Sequence, residues 1–400
     1  MPKAAPWLDR LTGVKAPSWW TAALLVGACH GLFALVAGVR MSSDSHAYAY
    51  YSARLIESGF DYPRLIAEAS GGFPAILYVL FGTLLSLLRL AFGSGWATAL
   101  VVLNFAAHVA LGILVVRMAA RVTRSGLAGW GALLLYLGCF DLLMWVPFVL
   151  SDATFVLIAF FVFTLAAARI LGEAKGWGAV LAAAAAGVFY RPTGMVLLPD
   201  LAWAIYLAKS GAAKVRRGPT LAVLAAGLAA VVLGFAWFVQ DPGRWPFASL
   251  GAAFRTAGAE YALGQVVSGR PETYHGPPSA LLDYALISAD RFLHFFAAGA
   301  ADFSPAHWLV ELAFFLPCYA LAGWLAIALW RGRTAFGPSE RKVFLAAFGA
   351  LLSYAVFHAL VQVDFDWRYR TPILPHLILL AAGGLADLAR RRAPRKRAGQ

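Results

Sequence analysis

Apolar stretches close to twenty residues long recur down this chain, and they decide what it can fold into. The first runs from Trp19 to Val39, and others lie at 97–116, 127–147, 152–170, 176–190, 193–208, 219–239, 306–330, 343–362 and 371–389. No water-soluble interior is large enough to hide so many, so they read as spans of a lipid bilayer. Hydrocarbon offers no partner to backbone N–H and C=O groups, so each span must be a helix or part of a closed barrel. These runs are too long and too continuous for barrel strands, which alternate in polarity. The expected fold is an all-α, polytopic transmembrane helical bundle of about ten spans, a single transmembrane domain over 1–400.

Charge is scarce, at 13% of residues, and unbalanced: 33 lysines and arginines stand against 20 acids. In a soluble protein that excess would suggest nucleic acid. Here the basic residues gather in short loops and in the tail 390–400, "RRRAPRKRAGQ", the pattern of positive charge retained on the cytoplasmic side against anionic headgroups. Membrane lipids, and not nucleic acid, are the partners this implies. Cys29, Cys139 and Cys318 each sit inside an apolar run, which supports neither a disulfide framework nor a zinc motif. Lys3, Arg10 and Lys15 precede a first run too long for a signal-peptide core, so a retained anchor is expected.

With the N-terminus cytoplasmic, the basic groups fix the threading. Arg117, Arg121, Arg124, Arg169, Lys175, Lys209–Arg217, Arg331–Lys342 and the tail all fall inside, and both termini are cytoplasmic. One apolar run, 73–88, would give only about 24 Å of helix against a hydrocarbon core of about 30 Å. Spanning would flip Arg117–Arg124 outward, so this run is expected to be a juxtamembrane or re-entrant helix within a first external loop at 40–96. A second large external loop covers 241–305. Within it, residues 281–296 put Asp283, Asp290 and His294 on one helical face and Leu282, Leu286, Leu293 and Phe296 on another, the signature of a helix lying in the interface.

This threading delivers several polar groups to the outer face. Asp44 follows the first span in "MSSDSHAYAYYS", where it is either a helix cap or a general base held at the membrane surface. His46 and Tyr48 beside it, and Glu272 and His275 in the 241–305 loop, are candidates for contact with a substrate. Asp152 opens a helix after Ser151, as a cap or as a second acid that orients an acceptor, binds a sugar hydroxyl or shares a divalent cation with Asp44. Arg191 occupies the "YRPTG" turn, and Arg368, Tyr369 and Arg370 occupy "DFDWRYRTP". Guanidinium forks match phosphate oxygens and keep their charge; snorkelling and pairing with Asp364 or Asp366 are the alternatives. The chain has no Walker loop, dinucleotide fingerprint, HExxH or GxSxG, so a reaction on the outer face would draw on a lipid-borne substrate.

An acid directly after the first helix, the run "GGFPAILYVLFG", a second external acid at Asp152, the "YRPTG" turn and the late "RYRTPILP" together resemble the GT-C superfamily of integral-membrane glycosyltransferases. Its members include protein O-mannosyltransferases, the aminoarabinose transferases of lipid A and the mannosyltransferases of lipid-anchor assembly. The resemblance runs over residues 20–210 and 345–390, and the 241–305 loop matches none of its motifs. It implies transfer of a sugar, usually with inversion, from a polyprenyl-phosphate-linked donor to a glycan, lipid or protein acceptor, on the outer face of a bacterial inner membrane. By that resemblance Asp44 is the catalytic base, Asp152 the second acid, and Arg368, Tyr369 and Arg370, with Arg191, contact the donor phosphate. A divalent cation (Mg or Mn) is the one cofactor it leaves open, and Asp44 is followed by Ser45 where a second acid would favour a tightly held metal. Two rival classes share this architecture: a polysaccharide polymerase or ligase using lipid-diphosphate-linked glycans, and a lipid or small-molecule transporter or flippase, which would bury charge at mid-bilayer.

Overall fold

The computed structural model describes residues 14–68, 75–210, 281–300, 303–361 and 367–392. The expected span at 219–239, most of the 241–305 loop with Glu272 and His275, and the end of the basic tail lie outside the described residues. Every regular element described is helical. They are α1 (Trp19–Ala37), α2 (Ser43–Glu57), α3 (Tyr62–Glu68), α4 (Val79–Phe92), α5 (Trp96–Thr123), α6 (Gly126–Leu137), α7 (Phe140–Leu143), α8 (Asp152–Ile170), α9 (Gly178–Tyr190), α10 (Leu197–Lys209), α11 (Leu281–Phe295), α12 (Pro305–Trp330), α13 (Pro338–Val361) and α14 (Leu374–Arg392). Short 3-10 turns at Ala75–Tyr78, Pro192–Val196 and Trp367–Ile373 lead into α4, α10 and α14.

Six stretches among the described residues are long and apolar enough to cross a membrane: Trp19–Ala37, Ile76–Thr123, Asp152–Ile170, Pro305–Trp330, Pro338–Leu360 and Arg368–Arg392. Expected spans at 127–147, 176–190 and 193–208 correspond instead to shorter helices. In the first, Gly138 and Cys139 end α6 after Leu137, and the chain turns through α7 before α8 begins. The 73–88 run becomes a 3-10 turn followed by a helix that continues through Arg89 to Phe92, with the Arg89 guanidinium 4.5 Å above the Trp96 ring. α11 packs against α13 and leaves Leu282, Leu286 and Leu293 exposed.

The helices sort by burial. α14 lies at the centre, its residues from Leu374 to Gly384, apolar but for His376, entirely buried against α5, α6, α12 and α13. Gly384 lets its backbone lie directly on the Leu321 carbonyl of α12, and Gly383 admits Phe344 and Leu325. α1 sits at the periphery. Its buried positions Ala22, Val26 and His30 recur every four residues and line one stripe against α5, while Leu24, Leu32, Leu35 and Val36 face outward.

Cross-links between helix ends define two ends of the bundle. At one, Arg124 pairs with Glu340, Arg121 with Glu173, Arg390 donates to the Thr123 carbonyl, and Trp130 donates to the Lys15 carbonyl. There too Asp387 collects Trp324 Nε1 at 3.1 Å, the Ala335 backbone N–H at 2.7 Å and Arg391 Nε at 2.7 Å, clamping α14 to the α12–α13 turn. At the other end, the segment after α1 runs parallel to the segment before α8. Arg40 N–H donates to the Pro147 carbonyl at 2.9 Å, and Val149 N–H donates to the Arg40 carbonyl at 3.0 Å. From this Arg40–Phe148 bridge each strand reaches an acid after the same number of residues, Asp44 on one and Asp152 on the other.

Candidate functional site

Asp44 enters α2 in its first turn, behind a capping box in which Ser42 and Ser45 exchange hydrogen bonds with each other's backbone N–H. The cap role foreseen as the alternative for Asp44 therefore falls to Ser42, and the Asp44 carboxylate is left to bond elsewhere. Its Oδ2 lies 2.7 Å from Arg368 Nη2. The Arg368 side chain is 10% exposed and that of Asp44 37%, so the acid forms the open rim of the pair. Asp152, at the start of α8, forms an ion pair with Arg191, whose Nη1 also lies 3.2 Å from Ser151 Oγ. Both members of this second pair are almost wholly buried.

Aromatic side chains join the pairs into one cluster. The Tyr369 ring carries both guanidiniums, with Arg368 at 5.2 Å and Arg191 at 5.9 Å from its centroid, and stacks on His358 at 5.0 Å. Tyr48 of α2 donates its hydroxyl to Tyr78 at 3.2 Å and rests edge-on against Phe81, which in turn touches Tyr190. Tyr190 and Thr154 share a hydrogen bond through their hydroxyls. Burial pushes the Tyr48 phenol well above its ordinary value, helped by neighbouring Tyr78, opposed by Arg191, and reinforced by the negative Asp152 and Asp44. Tyr48 is thus a fixed hydroxyl, protonated at any ordinary pH, in the field of Asp44, Asp152 and Arg191.

Of the expected site residues, Asp44, Tyr48, Asp152, Arg191, Arg368 and Tyr369 gather here. His46 is exposed on α2, two residues after Asp44 and so turned to a different side of the helix.

Arg370 departs from expectation. Its guanidinium is fully buried on the opposite side of the 3-10 turn, where Nε lies 2.6 Å from Asp141 Oδ2 and Nη2 3.3 Å from Glu311 Oε2. Nη1 donates to the Ala297 carbonyl, and the group lies 4.3 Å above the Phe315 ring. Each of its nitrogens is engaged within the protein, so Arg370 ties the 3-10 turn before α14 to α7 and α12 and is not brought into the cluster around Arg368. The pairing with Asp364 or Asp366 considered for it lies outside the described residues.

Several residues that complete these networks carried no assigned role in the sequence. Tyr78 has no local signal, since its partner Tyr48 lies 30 positions away. Asp141 in "CFDLL" and Glu311 in "LVELAF" did carry one: each is a lone acid in an apolar run, and an acid within a membrane helix calls for a cationic partner.

The donor chemistry does not suit a divalent cation between Asp44 and Asp152. Each carboxylate already faces a guanidinium, whose positive charge repels a metal ion, and no group of three His, Cys, Asp or Glu side chains among the described residues is arranged to hold one.

The cluster therefore presents a partly exposed carboxylate, Asp44, beside the Arg368 guanidinium, over a buried floor of aromatic rings and hydroxyls. Comparison of the chain with protein-family models, with curated proteins and with solved structures finds no match.

Proposed function

We propose that the chain is a GT-C-type glycosyltransferase that moves a sugar from a polyprenyl-phosphate donor to an acceptor hydroxyl at the outer face of the membrane. One observation carries this reading. Two carboxylate–guanidinium pairs, Asp44–Arg368 and Asp152–Arg191, share the ring of Tyr369 at one end of the bundle, while the cross-linked arginines of α5 and α14 mark the other. Assigning the arginine-rich end to the cytoplasm by the positive-inside rule puts the acids outside, with about ten spans and both termini inside.

In the proposed reaction the acceptor O–H gives its proton to Asp44 as its oxygen forms a bond to the anomeric carbon. The bond from that carbon to the donor phosphate oxygen breaks, and the electron pair leaves on the phosphate, where Arg368 offsets the growing charge. Asp152, paired with Arg191, fixes the turn that carries Arg191. No nucleotide enters, because the donor carries its own activated bond.

The test is turnover of labelled polyprenyl-phosphate sugars by the protein in nanodiscs, with a membrane extract as acceptor. Asp44→Asn should lower transfer by about 10²- to 10⁴-fold, the usual worth of a positioned base. Turnover at the wild-type rate in that variant would reject the assignment. A second reading, transport, draws on the charge buried deep in the bundle at Asp141, Glu311 and Arg370 and the adjoining histidines His30 and His108. Substrate flux across proteoliposomes without sugar transfer would favour it.

A further inference from the structure

Arg368 is expected to hold the donor phosphate, yet it already holds Asp44 at 2.7 Å. A guanidinium cannot give the same edge to a carboxylate and to a phosphate. We propose that Asp44 occupies the phosphate seat on Arg368 until the donor arrives, so that donor binding is an exchange of anions that also releases the base. This inference rests on the glycosyltransferase reading and adds to it an order of events.

The two pairs differ in how readily they can exchange. Asp152 and Arg191 are sealed at 4% and 7% side-chain exposure, whereas Asp44 stands 37% exposed at the rim. Separating the sealed pair would strand two buried charges, at a cost of several kcal/mol. Separating Asp44 from Arg368 leaves the carboxylate facing water and costs far less. Among the described residues Arg368 is thus the guanidinium that can exchange its anion, which matches a donor with one phosphoryl group, a polyprenyl phosphodiester of single charge, better than a diphosphate. Arg191, 5.9 Å from the Tyr369 ring centroid, adds its field without changing partner.

Charge accounting gives the exchange a consequence for catalysis. Among the described residues two carboxylates pair with two guanidiniums here. A phosphodiester adds one negative charge, and the displaced Asp44 then lies beside an anion of its own sign, which favours uptake of a proton. The acceptor hydroxyl supplies that proton. While no donor is bound, Arg368 holds the carboxylate in place and water is not activated at an empty site.

Equilibrium binding of farnesyl phosphate to the full-length protein in nanodiscs tests this, with farnesol as the uncharged control for the tail. Asp44→Asn should bind farnesyl phosphate about fivefold tighter or more, because removing a partly exposed internal competitor releases on the order of 1 kcal/mol. Arg368→Gln should bind it more weakly, and adding Asp44→Asn to Arg368→Gln should produce no tightening. Farnesol should bind all four proteins alike. Equal phosphate affinity in wild type and Asp44→Asn would overturn the exchange while leaving the glycosyltransferase reading in place. Equal tightening on the Arg368→Gln background would also overturn it, since the effect would then be general charge and not competition for one seat. Failure of every variant to bind the phosphate above farnesol would sink both proposals.

Discussion

Arg368 and Arg370 are two positions apart, yet one pairs with the partly exposed Asp44 and the other with two acids sealed inside the bundle. A 3-10 turn advances by a third of a revolution per residue, so residues two apart leave it in different directions. Arg368 meets Asp44, and Arg370 meets Asp141 and Glu311. The sequence motif "RYR" names both as phosphate ligands because it records residue type and spacing and not the direction each side chain takes. Removing Arg370 would leave Asp141 and Glu311 as buried acids without their guanidinium. Arg370→Ala should therefore cost about 3–5 kcal/mol of stability, read as a lowered melting temperature of the purified protein. Arg368→Ala, whose partner is a third exposed, should melt close to wild type and lose donor affinity instead. If Arg370→Ala melts like wild type and binds donor poorly, the structural assignment is reversed. Legibility at this scale followed the range of the interaction. The acids at helix starts could be read from the chain, but the choice of partner depends on contacts more than 200 positions apart, such as Arg370 with Asp141.

Helices were the most legible level, because hydrophobic length and helix-ending residues are local properties. The expected span at 152–170 coincides with α8, and that at 306–330 differs from α12 by one residue. Where the reading ran two elements together, at 127–147, the apolar character continues through a change of backbone direction that hydropathy cannot register. Close approach of helices is similarly hidden, since it rests on single glycines. Gly384 has the Leu321 backbone of α12 where a Cβ would go, whereas Gly323 faces open space. Backbone cannot move aside as a side-chain tip can, so Gly384→Val should push α14 off α12, at a cost of about 1–3 kcal/mol or more. Gly323→Ala should be neutral or slightly stabilising, because alanine favours the helix by up to about 1 kcal/mol. The check is the yield of monodisperse protein and its melting temperature. Equal behaviour of the two variants would mean that the α12–α14 contact does not depend on this glycine.

Across the whole molecule, the separation of charged groups into two ends does the most to make a site possible. The parallel bridge at Arg40 and Phe148 sets Asp44 and Asp152 on one end, and the α9–α10 and α13–α14 turns bring Arg191 and Arg368 to meet them. Arg121, Arg124, Arg390 and Arg391 secure the opposite end. A bilayer between these ends explains why a chain so poor in charge concentrates it there, since a charge at the centre of a span costs about 2.5–3.5 kcal/mol on insertion scales. The orientation this implies can be checked in intact cells with a membrane-impermeant maleimide. Cys139 and Cys318 are buried and Cys29 is partly so, so a Cys29→Ser background should label weakly. On that background His46→Cys, an exposed position next to Asp44 on α2, should react from outside. Arg124→Cys, replacing a side chain that is 80% exposed, should react only after the membrane is opened. The reverse pattern would place the acids in the cytoplasm, where a lipid-linked donor on the outer leaflet could not reach Arg368. Labelling of both positions without permeabilisation would mean that no bilayer separates them, and the transmembrane arrangement itself would have to be abandoned.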